Sequence, residues 1–201
     1  MPLLRILFTQ VLQRTFLLVL FTSLSLFVNI SFADSDIFAE NGKSFLEAYT
    51  LEETGGASQN FGIVQDYQGL IFIANLKGIM EFDGGRWRIT RHFEKKRPVS
   101  IDIDSTGRIY VGFQGDIGYL HLDSFGRYRV NSLRFNLPDS IKNIGHIWGT
   151  KATSEGVFFR SPNRIFRWKS NDTEDRKGEM KVWSFPEGNK ILGLSNIDGR
   201  C

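Results

Sequence analysis

The chain has 201 residues, with 25 Lys and Arg against 22 Asp and Glu, a net charge of +3. Arg5 and Arg14 lie in the first 33 residues, which hold no acid, so the remainder is nearly neutral and its basic residues are interleaved with acidic ones. That excludes the clustered positive surface which nucleic-acid binding needs, and a single cysteine, Cys201, excludes a disulfide framework.

Residues 1–33 read as an export signal. Arg5 and Arg14 precede or begin an apolar run extending through Val28. Ser31-Phe32-Ala33 then offers small residues at the two positions a signal peptidase inspects, and Asp34 and Asp36 follow. A basic start, an apolar centre and a small-x-small site make a secretory signal peptide. The alternative is an uncleaved membrane anchor, since 15–33 is about long enough to cross a bilayer. Either way the rest of the chain leaves the cytoplasm, and the expected compartment is the periplasm. Residues 34–58 are a lead-in segment.

From residue 59 the sequence repeats itself. Phe61–Asp66, Leu70–Ala74, Ile79–Phe82 and Arg86–Thr90 are short runs rich in β-branched and aromatic residues, divided by turn residues such as Asp66, Gly69, Gly78 and Asp83-Gly84-Gly85. Four such antiparallel strands in about 35 residues make one propeller blade. Val99–Asp104, Arg108–Gly112, Ile117–Leu122 and Arg127–Val130 repeat the pattern, with Asp104 and Gly107 placed as Asp66 and Gly69 were.

A looser third unit is predicted from Ile144–Gly149, Gly156–Arg160, Arg164–Trp168 and Met180–Phe185, with an exposed loop at 169–179. A fourth begins at 191–199. The predicted fold is all-β: an incomplete β-propeller with blades at about 59–92, 97–133 and 141–188 and the start of another at 189–201. Three blades leave a sheet face and edges uncovered, so the sequence reads as a fragment or truncated form of a longer protein.

Little of the sequence points to catalysis or cofactor chemistry. His92, His121 and His146 have no Cys, Glu or His at metal-ligand spacing. The stretch opening at Asp102 lacks the acidic twelfth residue of a calcium loop, having Phe113 there. No nucleophile elbow, phosphate loop or dinucleotide fingerprint occurs. Asp66, Asp83 and Asp104 recur beside glycine and read as turn residues, and Trp87 and Trp183 read as outer-strand packing between blades. No metal or cofactor is expected.

Propeller geometry places the loops before each first strand, and those between second and third strands, on one face around the central channel. The polar candidates there for ligand binding are Gln59, Asn75, Lys77, Gln114 and Asp116.

Gly55–Phe61, Gln65-Asp66, Gly69–Asn75, Gly78–Gly84 and Trp87, followed by Gly107–Gly112 and Gly115–Leu120, resemble the first two blades of the two-component regulator propeller family. The resemblance implies an extracytoplasmic sensor that binds an extracellular ligand, commonly a glycan. It also implies further blades, a triple-tyrosine domain, a membrane helix and a kinase, cyclase or DNA-binding output module in the full-length protein, for which a dimer is admitted. The alternative is a propeller lyase or hydrolase in the same compartment, or a carbohydrate-binding propeller; the enzyme requires acid and base groups converging on the channel mouth.

Overall fold

The computed structural model describes residues 14–15, 47–138, 140–141, 143–171, 178–186 and 191–194. The chain divides into two compact units, 1–47 and 48–201. The predicted signal segment (apart from Arg14 and Thr15) and most of the predicted fourth blade lie outside the described residues. Among the described residues no helix is long and apolar enough to cross a membrane.

The second unit is an all-β, incomplete propeller of three four-stranded antiparallel sheets, each formed by four consecutive strands. Blade 1 comprises β1 (Asn60–Gln65), β2 (Ile71–Asn75), β3 (Gly78–Phe82) and β4 (Trp87–Thr90). Blade 2 comprises β5 (Pro98–Ile103), β6 (Ile109–Phe113), β7 (Asp116–Leu122) and β8 (Tyr128–Ser132). Blade 3 comprises β9 (Gly149–Thr153), β10 (Gly156–Arg160), β11 (Arg164–Ser170) and β12 (Gly178–Ser184).

The hairpins follow from side-chain chemistry. Asp66 Oδ1 accepts the backbone N–H groups of Gln68 and Leu70, Asp104 Oδ1 those of Thr106 and Arg108, and Asp123 Oδ1 those of Phe125 and Arg127. Asp83 Oδ1 does the same for Gly85 and Arg86. An aspartate carboxylate thus nucleates each of these four turns, and Gly107 takes the positive φ of 86° that a side chain resists.

First strands lie at the centre of the fan. Ser100 Oγ on β5 donates to Ile147 O at 2.8 Å and lies 2.7 Å from Thr150 Oγ1 on β9. Asp102 Oδ2 accepts from Ala152 N at 2.9 Å and meets Lys151 Nζ at 3.2 Å. Outer strands meet less, through Thr90 Oγ1 donating to Tyr128 O.

Two apolar layers hold the blades together. Phe72, Ala74 and Ile79 of blade 1 pack on Ile101, Ile109, Val111 and Leu120 of blade 2. Tyr110, Ile117 and Tyr119 of blade 2 pack on Val157, Phe159, Phe166 and Trp168 of blade 3. Each of these larger side chains contributes about 1.5–3 kcal/mol on burial, so the inter-blade layers dominate stability.

Two expectations need correction. The first strand of blade 3 is Gly149–Thr153, not Ile144–Gly149. Ile144 and Ile147 are apolar because they are buried in a connector: Ile147 N donates to Phe113 O, and Gly145 O accepts from Gly115 N. Trp87 and Trp183 do not pack between described blades. Trp87 stacks on Phe82 and meets Tyr49 edge-on, and Trp183 stacks on Phe158. The tryptophan of the inter-blade layer is Trp168.

The lead-in segment meets blade 1. A four-residue helix, α1 (Leu51–Thr54), is closed at its start by a reciprocal Thr50–Glu53 capping box. Tyr49 packs edge-on against Phe82, and Gly56 lies so near Met80 that a Cβ there would fall 2.7 Å from its sulfur.

Candidate functional site

The turns between second and third strands share one face with the connectors between blades. Gln114 N donates to Arg97 O, Gly115 N to Gly145 O, and Lys96 Nζ to Gly115 O. Both inter-blade connectors therefore converge on the β6–β7 turn.

At the foot of that turn is a buried polar cluster centred on Asp116, the first residue of β7. Its Oδ1 accepts from Ile117 N at 2.7 Å, and Ser132 Oγ donates to the carboxylate at 2.9 and 3.0 Å. His92 Nε2 lies 2.9 Å from Oδ2, and both side chains are essentially inaccessible to water. Glu94 N donates to His92 Nδ1 at 3.0 Å, so the tautomer with its proton on Nε2 satisfies both ring contacts. Burial by itself raises the Asp116 carboxyl. The His92, Ser132 and Ile117 hydrogen bonds, with the Lys96 charge, outweigh it and hold the group below its ordinary value.

These residues do not make an activated nucleophile. Ser132 donates its proton to Asp116 and accepts Arg134 N at 3.2 Å, so its hydroxyl is not directed at His92. Contrary to the sequence expectation that His92 has no partner at metal-ligand spacing, His92, Glu94 and Asp116 bring ligand atoms within 4.8 Å of one another, Asp116 being distant in sequence. Lys96 Nζ, however, lies 2.6 Å from Glu94 Oε2 and 3.5 Å from Asp116 Oδ2. An ammonium already supplies the positive charge between the carboxylates, and both ring nitrogens of His92 are engaged. The donor set therefore does not fit a resident metal.

Beside the cluster is a cavity of about 310 Å³. Phe93, Phe135, Leu137 and Ile141 form its apolar wall, and Glu94, Ser132 and Arg134 its polar edge. Phe135 is 88% exposed at its mouth. The volume lies at the lower end of the range of small-ligand sites, and the accessible lining is more polar than apolar.

The five residues selected from the sequence fall into two groups. Asp116 lines the cavity; Gln114, on the β6–β7 turn, does not, and its amide nitrogen lies 2.9 Å from His146 Nε2. Gln59, Asn75 and Lys77 gather at the β2–β3 turn of blade 1 instead. Asn75 is fully buried: its amide nitrogen reaches the carbonyls of Ala57 and Gln59 and the side chain of Asn60, and its oxygen accepts Ala57 N and Lys77 N. Lys77 Nζ donates to Gly55 O. This group ties the lead-in segment to blade 1, and the saturated Asn75 amide has nothing left for a ligand.

His92, Lys96 and Ser132 were missed because their partners are distant in sequence; His92 and Asp116 are 24 residues apart. One signal was present: Asp116 occupies the repeat position held by Gly78 in blade 1. A carboxylate replacing a glycine in a repeat marks local specialisation.

No family model and no curated protein matches the chain. Among solved structures it is similar to virginiamycin B lyase from Staphylococcus aureus, with 19% identity over 71% of this chain and 45% of that one, and a TM-score of 0.48. It is also similar to an extracellular domain assigned to a one-component system of B. thetaiotaomicron, with 13% identity over 73% of this chain and 32% of that one, and a TM-score of 0.34. The chain spans less than half the length of each of these structures.

Proposed function

We propose that this chain is the input part of an extracytoplasmic sensor of the two-component regulator propeller type, binding its ligand in the cavity beside Asp116 without transforming it. The observation that supports this reading is the hydrogen bonding of the cluster. Its carboxylate, imidazole and hydroxyl satisfy one another, which makes a preorganised wall and leaves no base facing a nucleophile. The exposed Phe93 and Phe135 rings and the polar edge suit an oligosaccharide, whose rings have apolar faces and hydroxyl rims.

The test is to titrate the full chain with a panel of neutral and acidic oligosaccharides, read by calorimetry, and to incubate the same panel while following new reducing ends or unsaturated products. The expected result is saturable binding, weakened about tenfold by Phe135→Ala, with every saccharide recovered intact. Binding indifferent to Phe135→Ala overturns the placement of the site. Turnover abolished by Asp116→Asn overturns the sensor reading in favour of a propeller lyase or hydrolase.

A further inference from the structure

Gln114, which the cavity beside Asp116 leaves aside, belongs to a second group of side chains. Its amide nitrogen lies 2.9 Å from His146 Nε2, and the His146 and Trp148 rings are 5.3 Å apart. Trp148 directly precedes β9, the innermost strand of blade 3, and is 49% exposed. None of the three residues lines the cavity beside Asp116.

The backbone that carries this group is fixed. Gln114 and His146 form an antiparallel bridge, with Gly115 N donating to Gly145 O and Ile147 N to Phe113 O. Ser100 Oγ on β5 donates to Ile147 O at 2.8 Å, and Gln114 N donates to Arg97 O. The side chains therefore stand on a frame tied to blade 2, and little backbone ordering is left for a ligand to impose.

The tryptophan is larger than packing asks for at this level. In blade 2 the residue before the Ser100–Gly112 pair is Val99, which is buried. In blade 3 the residue before the Gly149–Arg160 pair is Trp148, with its indole half in water. Polar groups flank that ring. An amide nitrogen only donates, so His146 Nε2 accepts and the neutral imidazole carries its proton on Nδ1. Neither His146 Nδ1 nor the Gln114 amide oxygen has a hydrogen-bond partner among the described residues. One donor and one acceptor thus stand beside an exposed aromatic face.

We propose that Gln114, His146 and Trp148 form a binding site for a neutral pyranose sugar. The apolar C–H face of the sugar lies on the indole, and its hydroxyls, each able to donate and accept, meet the imidazole N–H and the amide oxygen. This site shares no residue with the cavity beside Asp116 and stands or falls independently of it.

The full chain is titrated by calorimetry with the methyl glycosides of glucose, galactose and xylose, and with sorbitol, which has the hydroxyls without the ring face. The expected result is saturable binding of at least one glycoside and none of sorbitol. Binding is expected to weaken about tenfold in Trp148→Ala and about threefold in Gln114→Ala, with circular dichroism unchanged. Trp183→Ala removes another half-exposed indole of blade 3, and it and Phe135→Ala are expected to bind as the parent does. No saturable binding of any glycoside, sorbitol binding as tightly as the glycosides, or binding indifferent to both Trp148→Ala and Gln114→Ala overturns the proposal. So does an equal loss in Trp183→Ala. A loss confined to Phe135→Ala overturns this site while leaving the cavity beside Asp116 as the place where sugars bind.

Discussion

The Tyr67 hydroxyl donates a hydrogen bond to the carbonyl of Ser105 at 3.1 Å, and the two residues are 38 positions apart. Thr90 and Tyr128, joined by another inter-blade bond, are also separated by 38. For the turn after the first strand the sequence period is thus also the contact period, since Tyr67 and Ser105 occupy equivalent positions; in the outer strands the register differs, and the blade 2 counterpart of Thr90 is Leu133. Tyr67 is highly exposed, so water competes for both of its groups. Tyr67→Phe is expected to cost about 0.5–1 kcal/mol, measured as a shift of the urea midpoint at unchanged slope. A loss of several kcal/mol would show that the tyrosine does more than tie two turns.

What was legible in the sequence was what is local. An Asp followed by a Gly three residues on specifies a turn through bonds spanning only two to four residues, so the hairpins of blades 1 and 2 could be placed within a residue or so. The first strand of blade 3 could not. Gly149–Thr153 is a polar run, while the apolar Ile144 and Ile147 beside it serve a connector. Burial in a connector and burial in a ladder leave the same mark on composition. The Asp116 cluster was hidden for a related reason, since three loops that share no sequence neighbourhood assemble it.

Asn75 sits where two stretches of irregular backbone need partners. Its single amide serves Ala57 through both N–H and carbonyl, and it also bonds Gln59 O and Lys77 N. Asn75→Ala strands these groups in a buried site, at about 1–3 kcal/mol for an unsatisfied polar group and more where several are left together. The expected loss is about 3 kcal/mol in chemical denaturation. Proteolysis of native protein is expected to become faster within residues 48–58, because that segment loses its tie to blade 1. Protection there equal to that of the parent would contradict this role.

Asp116 makes stability dependent on acid. Its folded-state pKa lies below the ordinary value of 3.8 because hydrogen bonds and Lys96 outweigh burial. A group depressed on folding contributes stability that is complete above the unfolded pKa and is lost as pH falls through the folded one. Asp116→Asn removes that contribution and leaves buried donors facing a weaker acceptor, at about 2–4 kcal/mol near neutrality. The difference in melting temperature between parent and variant is therefore expected to be constant from pH 7 to about pH 5 and to narrow below about pH 4. Other depressed aspartates, Asp83 and Asp123, are common to both proteins and cancel in the difference. A gap that widens in acid would reverse the assigned sign.

The glycine of β6 tests how tightly the blades are fitted at the centre. In blade 1 the cross-strand pair at this level is Gly62 and Ala74; in blade 2 it is Ser100 and Gly112. The small residue has changed strands, and the volume has moved with it. A Cβ on Gly112 would collide with Ile147 and with Ser100 Oγ, so Gly112→Ala overpacks the centre at about 1–3 kcal/mol. Ser100→Gly loses the bonds to Ile147 O and Thr150, at about 1–2 kcal/mol. Together they restore the blade 1 arrangement and relieve one of the two collisions, leaving Ile147 in place. The double variant is therefore expected to be more stable than the sum of the singles by at least about 0.5 kcal/mol, yet less stable than the parent. Strict additivity in chemical denaturation would mean that the centre relaxes around the added methyl group without involving Ser100, and that the exchange between the two blades is not compensatory.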